Sequence, residues 1–229
     1  MCGRFTLGVD LSDLMAAFPG VEFPETVAAR YNIAPTQPVL GIPNTRARKA
    51  GYFQWGLVPS WAKDPAMGNR MINARAETAA EKPAFRAAYR RRRCLVLADG
   101  FYEWREEPGS KTKTPYYIHM ADGRPFAFAG LWELWRLDDA RRPDDAGLLT
   151  CTLLTCTPNA LIAPIHNRMP VILPPAAYDR WLDPTEQAPG ALDDLLVAYP
   201  DDAFEIYPVS RQVNQPKHDT PECIEPTDF

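Results

Sequence analysis

Position two carries the pair of groups with the most chemistry in the chain. Cys2 follows Met1 and precedes Gly3, and loss of the first methionine would leave an α-amine and a thiol on adjacent carbons. The amine has a reference pKa of about 7.7–8.0 and the thiol about 8.5, so each is partly nucleophilic near neutrality. An amine condenses with an aldehyde to an imine, and the neighbouring thiol can then close a five-membered thiazolidine ring. The same pair could instead support acyl transfer. The plainer reading makes Cys2 a packing residue at the edge of a strand.

Four other segments are more polar than their apolar and aromatic surroundings. In ADGFYEWRE, alternation places Phe101, Glu103 and Arg105 on one face. A carboxylate among aromatic rings tends to a raised pKa and can move protons; a salt-bridged strand glutamate is the alternative. In PNALIAPIHNRMPVIL, His166 sits with Asn167 and Arg168 between two prolines, after a short helix and before an apolar strand. His119, in YYIHM, reads as a satisfied structural residue, and His218 as solvated. In MINARAET, an extended backbone would send Asn73 and Arg75 to one side, whereas a helix N-terminus would not. RYNIAPTQPV and FQWGLVPSWAKDP join prolines, amides and indoles, a composition suited to a groove that stacks flat rings. There Trp55 reads as core and Trp61 as exposed. Among basic groups, Arg4 stands two residues after Cys2. Arg86 and the run Arg90–Arg93 fall on or after a helix, as a solvated face or, alternatively, a phosphate groove.

Short strands must position these groups. Strand patterns fall at 3–8, 37–42, 49–55, 94–98, 101–105, 115–120, 126–135, 148–155 and 204–209. A brief helix is expected over 10–18, with others at 83–91, 174–182 and 190–198. EEPGSKTK and DDARRPDDAG read as hairpin tips. The expected fold class is α+β: a single domain with a curved, barrel-like antiparallel β core and a few short peripheral helices.

Composition narrows the function classes. A 229-residue chain with net charge −4 is no bulk polycation, so any nucleic-acid contact needs a local basic patch. Its 24 prolines favour irregular connections over long helices. Cys94, Cys151, Cys156 and Cys223 lack paired zinc-ligand spacing and read as reduced packing residues, with no metal. No apolar run approaches the roughly 18 residues of a membrane span, and no signal-peptide pattern opens the chain. A cytoplasmic protein with no membrane partner is expected.

Taken in order, MCGRF, RYNIAP, WGLVPSW, INARAET, DGFYEW, PIHNRMP and PVSRQVN closely resemble the SRAP domain (SOS response-associated peptidase) family, from residue 2 to 214. The resemblance implies one domain over 1–229, with a core over 2–214 and a tail over 215–229. It implies a monomeric, cofactor-free sensor of abasic sites in single-stranded DNA that attaches itself covalently and joins the nucleoid when bound. Cys2 is then the nucleophile, Asn73 holds the reacting end and the open sugar, Glu103 is the acid/base and His166 lies near the sugar ring oxygen. Implied DNA contacts are Gly3, Arg4, Pro35, Trp61, Asn73, Arg75 and Arg86. Lyase chemistry at the imine stage and self-processing at Met1 belong to the same expectation. One departure is Trp61-Ala62, where relatives can carry two adjacent tryptophans. The rival readings are an N-terminal-cysteine amidotransferase, a peptidase acting on other proteins, and a non-covalent single-strand binder in which Cys2 is incidental.

Overall fold

The computed structural model describes residues 2–109, 112–136 and 147–228. In chain order its strands are β1 (Phe5–Leu7), β2 (Arg30–Ile33), β3 (Pro38–Pro43), β4 (Gly51–Trp55) and β5 (Asn73–Arg75). There follow β6 (Arg93–Ala98), β7 (Gly100–Arg105), β8 (Thr114–Met120), β9 (Phe126–Trp135) and β10 (Leu148–Cys156). The last are β11 (Met169–Pro170), β12 (Ile172–Leu173) and β13 (Phe204–Pro208).

A closed ring runs β4–β3–β6–β9–β10 and back to β4. It is antiparallel except where β10 meets β4, and β5 adds to β10 in parallel. A second, wholly antiparallel sheet has the order β13–β8–β7–β1–β2. The two share one core. Phe5 of β1 meets Trp55 edge-on at 5.0 Å and Phe128 at 5.6 Å, and Phe101 of β7 reaches Phe128 at 6.0 Å. Each such pair adds about 0.5–1.5 kcal/mol beyond burial. The barrel-like antiparallel core is therefore as expected, with two parallel contacts added.

Helices are few and short: α1 (Leu11–Ala17), α2 (Ala76–Ala79), α3 (Arg86–Arg91) and α4 (Tyr178–Trp181). The Asp10 side chain caps α1 by accepting from the Asp13 N–H at 2.9 Å. Only α3 forms from the helix expected at 83–91, and a 3₁₀ turn plus α4 replace the one at 174–182. The helix expected at 190–198 is absent. Only Asp193–Leu195 winds, as a 3₁₀ turn, after Gly190 at φ +84°. Arg180 pairs with Asp194 and Tyr89 donates to Asp193, which fixes the turn from outside. The short helix expected before His166 is a series of turns instead. Of the two hairpin tips, residues 110–111 of the first and nearly all of DDARRPDDAG lie outside the described residues.

Arg93 corrects the solvated-face reading of the arginine run. Its guanidinium is fully buried and donates to the carbonyls of Trp181 and Tyr89, both at 2.9 Å, and of Arg90 at 2.7 Å. Arg92 pairs with buried Glu133 at 2.7 Å, and Arg91 pairs with Glu186 at the surface. Arg92 and Arg93 tie α4 to β6 and β9, whereas Arg90 and Arg91 are exposed, as a solvated face would be.

The C-terminal segment is docked, which corrects the solvated reading of His218. Asp219 accepts from the backbone N–H groups of Tyr31 at 2.5 Å and Asn32 at 2.8 Å, and pairs with Arg30. Buried Asn32 donates to the carbonyls of Val213 at 3.1 Å and His218 at 2.6 Å. Cys94, Cys151, Cys156 and Cys223 are buried free thiols, as expected.

Candidate active site

The lead-in to β1 delivers Cys2 to the edge of β7. The N–H of Tyr102 donates to the Arg4 carbonyl at 2.9 Å, and Phe5 pairs with Phe101. Carried two steps on, that register puts Gly3 opposite Glu103. From β5, the Asn73 Nδ2 donates to the Cys2 carbonyl at 2.7 Å, while its Oδ1 is buried without a partner. The strand Asn73–Arg75 is extended and turns directly into α2, so both readings of MINARAET describe part of it.

Burial changes the expected thiol chemistry. Cys2 is fully buried, and desolvation, reinforced by the Glu103 carboxylate, pushes its thiol far above the ordinary range. It is not nucleophilic near neutrality unaided, contrary to the sequence expectation. Glu103 supplies what is missing. Its carboxyl is buried, and desolvation carries it from 4.5 to about 7, with neighbouring positive charge, Lys113 included, holding it back. A base poised near neutrality thus stands beside a reluctant thiol.

His166 lies in the loop before β11. Its Nδ1 lies 3.0 Å from the Arg168 backbone N and 3.1 Å from the Arg168 carbonyl oxygen, so the backbone of Arg168 holds that edge of the ring. Burial first, then nearby positive charge including Lys113, lowers its pKa, so the neutral form dominates at pH 7. The positive charge of Lys113 acts on both Glu103 and His166.

The loop is strapped down by a residue that sequence reading passed over. Arg168 makes a two-pronged pair with Glu77 of α2 at 2.7 and 2.8 Å and donates to the Thr155 carbonyl of β10. Those bonds hold the Glu77 carboxyl below its ordinary range. Arg168 belongs to the same PIHNRMP word as His166, a visible signal, but its partner lies 91 residues away. Asn32 likewise belongs to the RYNIAP word, whereas Lys113 had no such signal.

The other expected DNA contacts scatter around this cluster. Arg4 is half-buried, with its Nη1 engaged by Asn32 at 2.7 Å and the Val213 carbonyl at 2.6 Å. Pro35 occupies the β2–β3 turn, next to Thr36 at φ +72°, a left-handed conformation rare for a β-branched residue. Arg75 is exposed at the end of β5. Arg86 is exposed at the start of α3, which packs on β6 and β9, and no hydrogen bond joins it to the cluster. Trp61 is 57% exposed and Trp55 is fully buried, both as expected. Ala62 is buried beneath Trp135, whose Nε1 donates to the Ala62 carbonyl at 2.7 Å. His119, as expected, is satisfied, with Nδ1 2.9 Å from the Met120 carbonyl. Among the described residues no cluster of His, Cys, Asp and Glu could hold a metal ion, and no helix is long and apolar enough to cross a membrane.

The ordered words now have a fold, and residues 1–216 match the family described as SOS response associated peptidase. The chain belongs to the SRAP family. One SRAP relative, the abasic site processing protein YoqW of Bacillus subtilis, is 45% identical over 98% of this chain and 99% of its own. Another, the abasic site processing protein HMCES of Mus musculus, is 34% identical over 77% of this chain and 56% of its own. A crystal structure of a Bacteroides thetaiotaomicron protein superposes with a TM-score of 0.84, at 25% identity, covering 99% of this chain and 100% of that one.

Proposed function

We propose that this protein senses abasic sites in single-stranded DNA and captures them covalently through Cys2 once Met1 is gone. The observation that carries the reading is the junction of the β1 lead-in, β5 and β7. Asn73 bonds the Cys2 carbonyl there, and the Glu103 carboxyl is raised to about 7. The abasic-site names of the relatives support the substrate class.

The steps follow from the groups present. An abasic deoxyribose is mostly a closed hemiacetal. His166 gives a proton to the ring oxygen while Glu103 exchanges protons with the sugar, and the aldehyde opens. The Cys2 amine adds to the aldehyde carbon, water leaves, and an imine forms. Glu103 as carboxylate then takes the thiol proton as sulfur attacks the imine carbon, and returns it to nitrogen. Each proton transfer contributes about 10²–10⁴-fold, and holding both nucleophiles on one residue adds an effective-molarity advantage. Asn73, through its partnerless buried Oδ1, orients the amine or a sugar hydroxyl. β-Elimination at the imine stage gives lyase activity wherever ring closure is slow. Self-processing at Met1 falls under the same proposal. So do phosphate contacts from Arg4, Arg75 and Arg86, and contacts of the unpaired strand with Gly3, Pro35 and Trp61, the last by stacking.

Mass spectrometry of the first peptide, before and after mixing with single-stranded DNA carrying one abasic site, tests this. The expected result is loss of Met1 followed by a DNA-sized adduct on Cys2. An adduct on another side chain, or trapping by protein that retains Met1, overturns the reading.

A further inference from the structure

One face of β7 runs outward from the core through the candidate site. Phe101 is in the core, Glu103 is buried behind the cluster, and Arg105 reaches partial exposure; their partners on β8 are Ile118, Tyr116 and Thr114. Residues two apart on a strand are separated by about 7 Å, roughly the length of one extended nucleotide. Arg105 lies with its Cζ 4.6 Å from the centre of the Tyr116 ring. Beyond this pair opens a cavity of about 450 Å³, bounded by Arg105, Tyr116, Pro208 and Arg211. Lys113 stands at the adjoining end of β8, paired with Glu106 at 2.7 Å near the surface. Glu107, paired with Arg105 at 2.9 Å, and Asp228 also line the cavity. Its charge is therefore balanced. Two guanidinium and two carboxylate groups offer a base edge both donors and acceptors.

We infer that the Arg105–Tyr116 pair is a subsite for the nucleotide next to the abasic sugar, on one side of the lesion only. The base stacks on the pair and enters the cavity. Stacking on a guanidinium or an aromatic face tolerates any base, so this subsite reads the presence of a neighbour and not its identity. The inference rests on the abasic-site reading above.

The test is binding of single strands that carry a tetrahydrofuran abasic analogue, which cannot open to an aldehyde and so reports affinity without capture. Strands with nucleotides on both sides, or on the 5′ or the 3′ side alone, are compared by fluorescence anisotropy. Tyr116→Ala should weaken binding about tenfold on the two-sided strand and on one of the one-sided strands, with no penalty on the other. Tyr116→Phe should keep wild-type affinity, and Arg105→Ala should show the same one-sided pattern as Tyr116→Ala, which a general folding defect would not. An equal penalty on every strand, or none on any, overturns the subsite. Failure of the wild-type protein to form a denaturant-resistant adduct on a natural abasic strand is a different result, and it overturns the parent reading.

Discussion

The Asn73 amide on β5 holds the Cys2 carbonyl at 2.7 Å, so the position of Cys2 is set by a strand of the other sheet. The bond engages the backbone of Cys2, while its thiol faces the Arg4 carbonyl. Asn73→Ala should cost about 1 kcal/mol of stability but slow adduct formation by tenfold or more, because a small displacement of a reacting group is expensive in rate. Asn73→Asp should be slower still, since an acceptor would face the carbonyl. Denaturing gels of time courses on abasic single strands measure both. Wild-type rates for Asn73→Ala would remove Asn73 from the site.

Glu103 sets the pH dependence. Its pKa, raised by burial from 4.5 to about 7, means that the folded chain prefers the protonated carboxyl. This contribution to stability is fully present below about pH 4.5 and is lost as pH rises through about 7. Relative to wild type, Glu103→Gln should therefore gain stability between pH 5 and pH 8, by no more than about 3 kcal/mol. Capture has the opposite demand, because the thiol needs the carboxylate. The wild-type rate should rise through about pH 7 and level off, whereas Glu103→Gln should be about 10²–10⁴-fold slower with that inflection gone. Thermal melts and single-turnover rates across the range decide it. An unchanged inflection in the variant would assign it to another group.

What the sequence made legible follows interaction range. The strands of the barrel, the shared face of Phe101, Glu103 and Arg105, and the contrast of buried Trp55 with exposed Trp61 all follow from local alternation and composition. The helix expected at 190–198 failed because its apolar spacing is real but Asp193 and Asp194 are engaged by Tyr89 and Arg180, partners far away in the chain. Arg93 looked solvated because a run of arginines usually is, and only the tertiary fold brings carbonyl oxygens around its guanidinium. The same limit hid the Cys2 environment. Its neighbours Asn73 and Glu103 come from other strands, so the desolvation that raises its pKa leaves no mark in MCGRF.

Glu77 should act on capture from outside the reacting groups. It holds both Nη atoms of Arg168, whose backbone holds one edge of the His166 ring. Glu77→Ala leaves that guanidinium with the Thr155 carbonyl alone, which should cost about 1–3 kcal/mol and loosen the His166 loop. Hydrogen exchange at His166 and Arg168 should quicken, and adduct formation should slow while binding of an undamaged strand is kept. If exchange quickens but capture does not change, the loop does not position His166 for chemistry.

Trp61 and Ala62 divide one loop between two tasks. Ala62 is 7% exposed, and its carbonyl accepts from the Trp135 indole at 2.7 Å, whereas Trp61 is 57% exposed. Position 62 therefore anchors the loop to the sheet, and its small side chain is what lets Trp135 close over it. Ala62→Trp cannot add a second stacking surface without displacing Trp135, and overpacking of this kind should destabilise by about 1–3 kcal/mol. Trp61→Ala should leave the melting temperature almost unchanged, since an exposed side chain contributes within about 0.5 kcal/mol. It should nonetheless weaken binding of single strands about tenfold, the worth of one stacked base. Melts and anisotropy on the two variants separate the roles: a stability loss from Trp61→Ala, or tighter strand binding by a stably folded Ala62→Trp, would reverse the assignment.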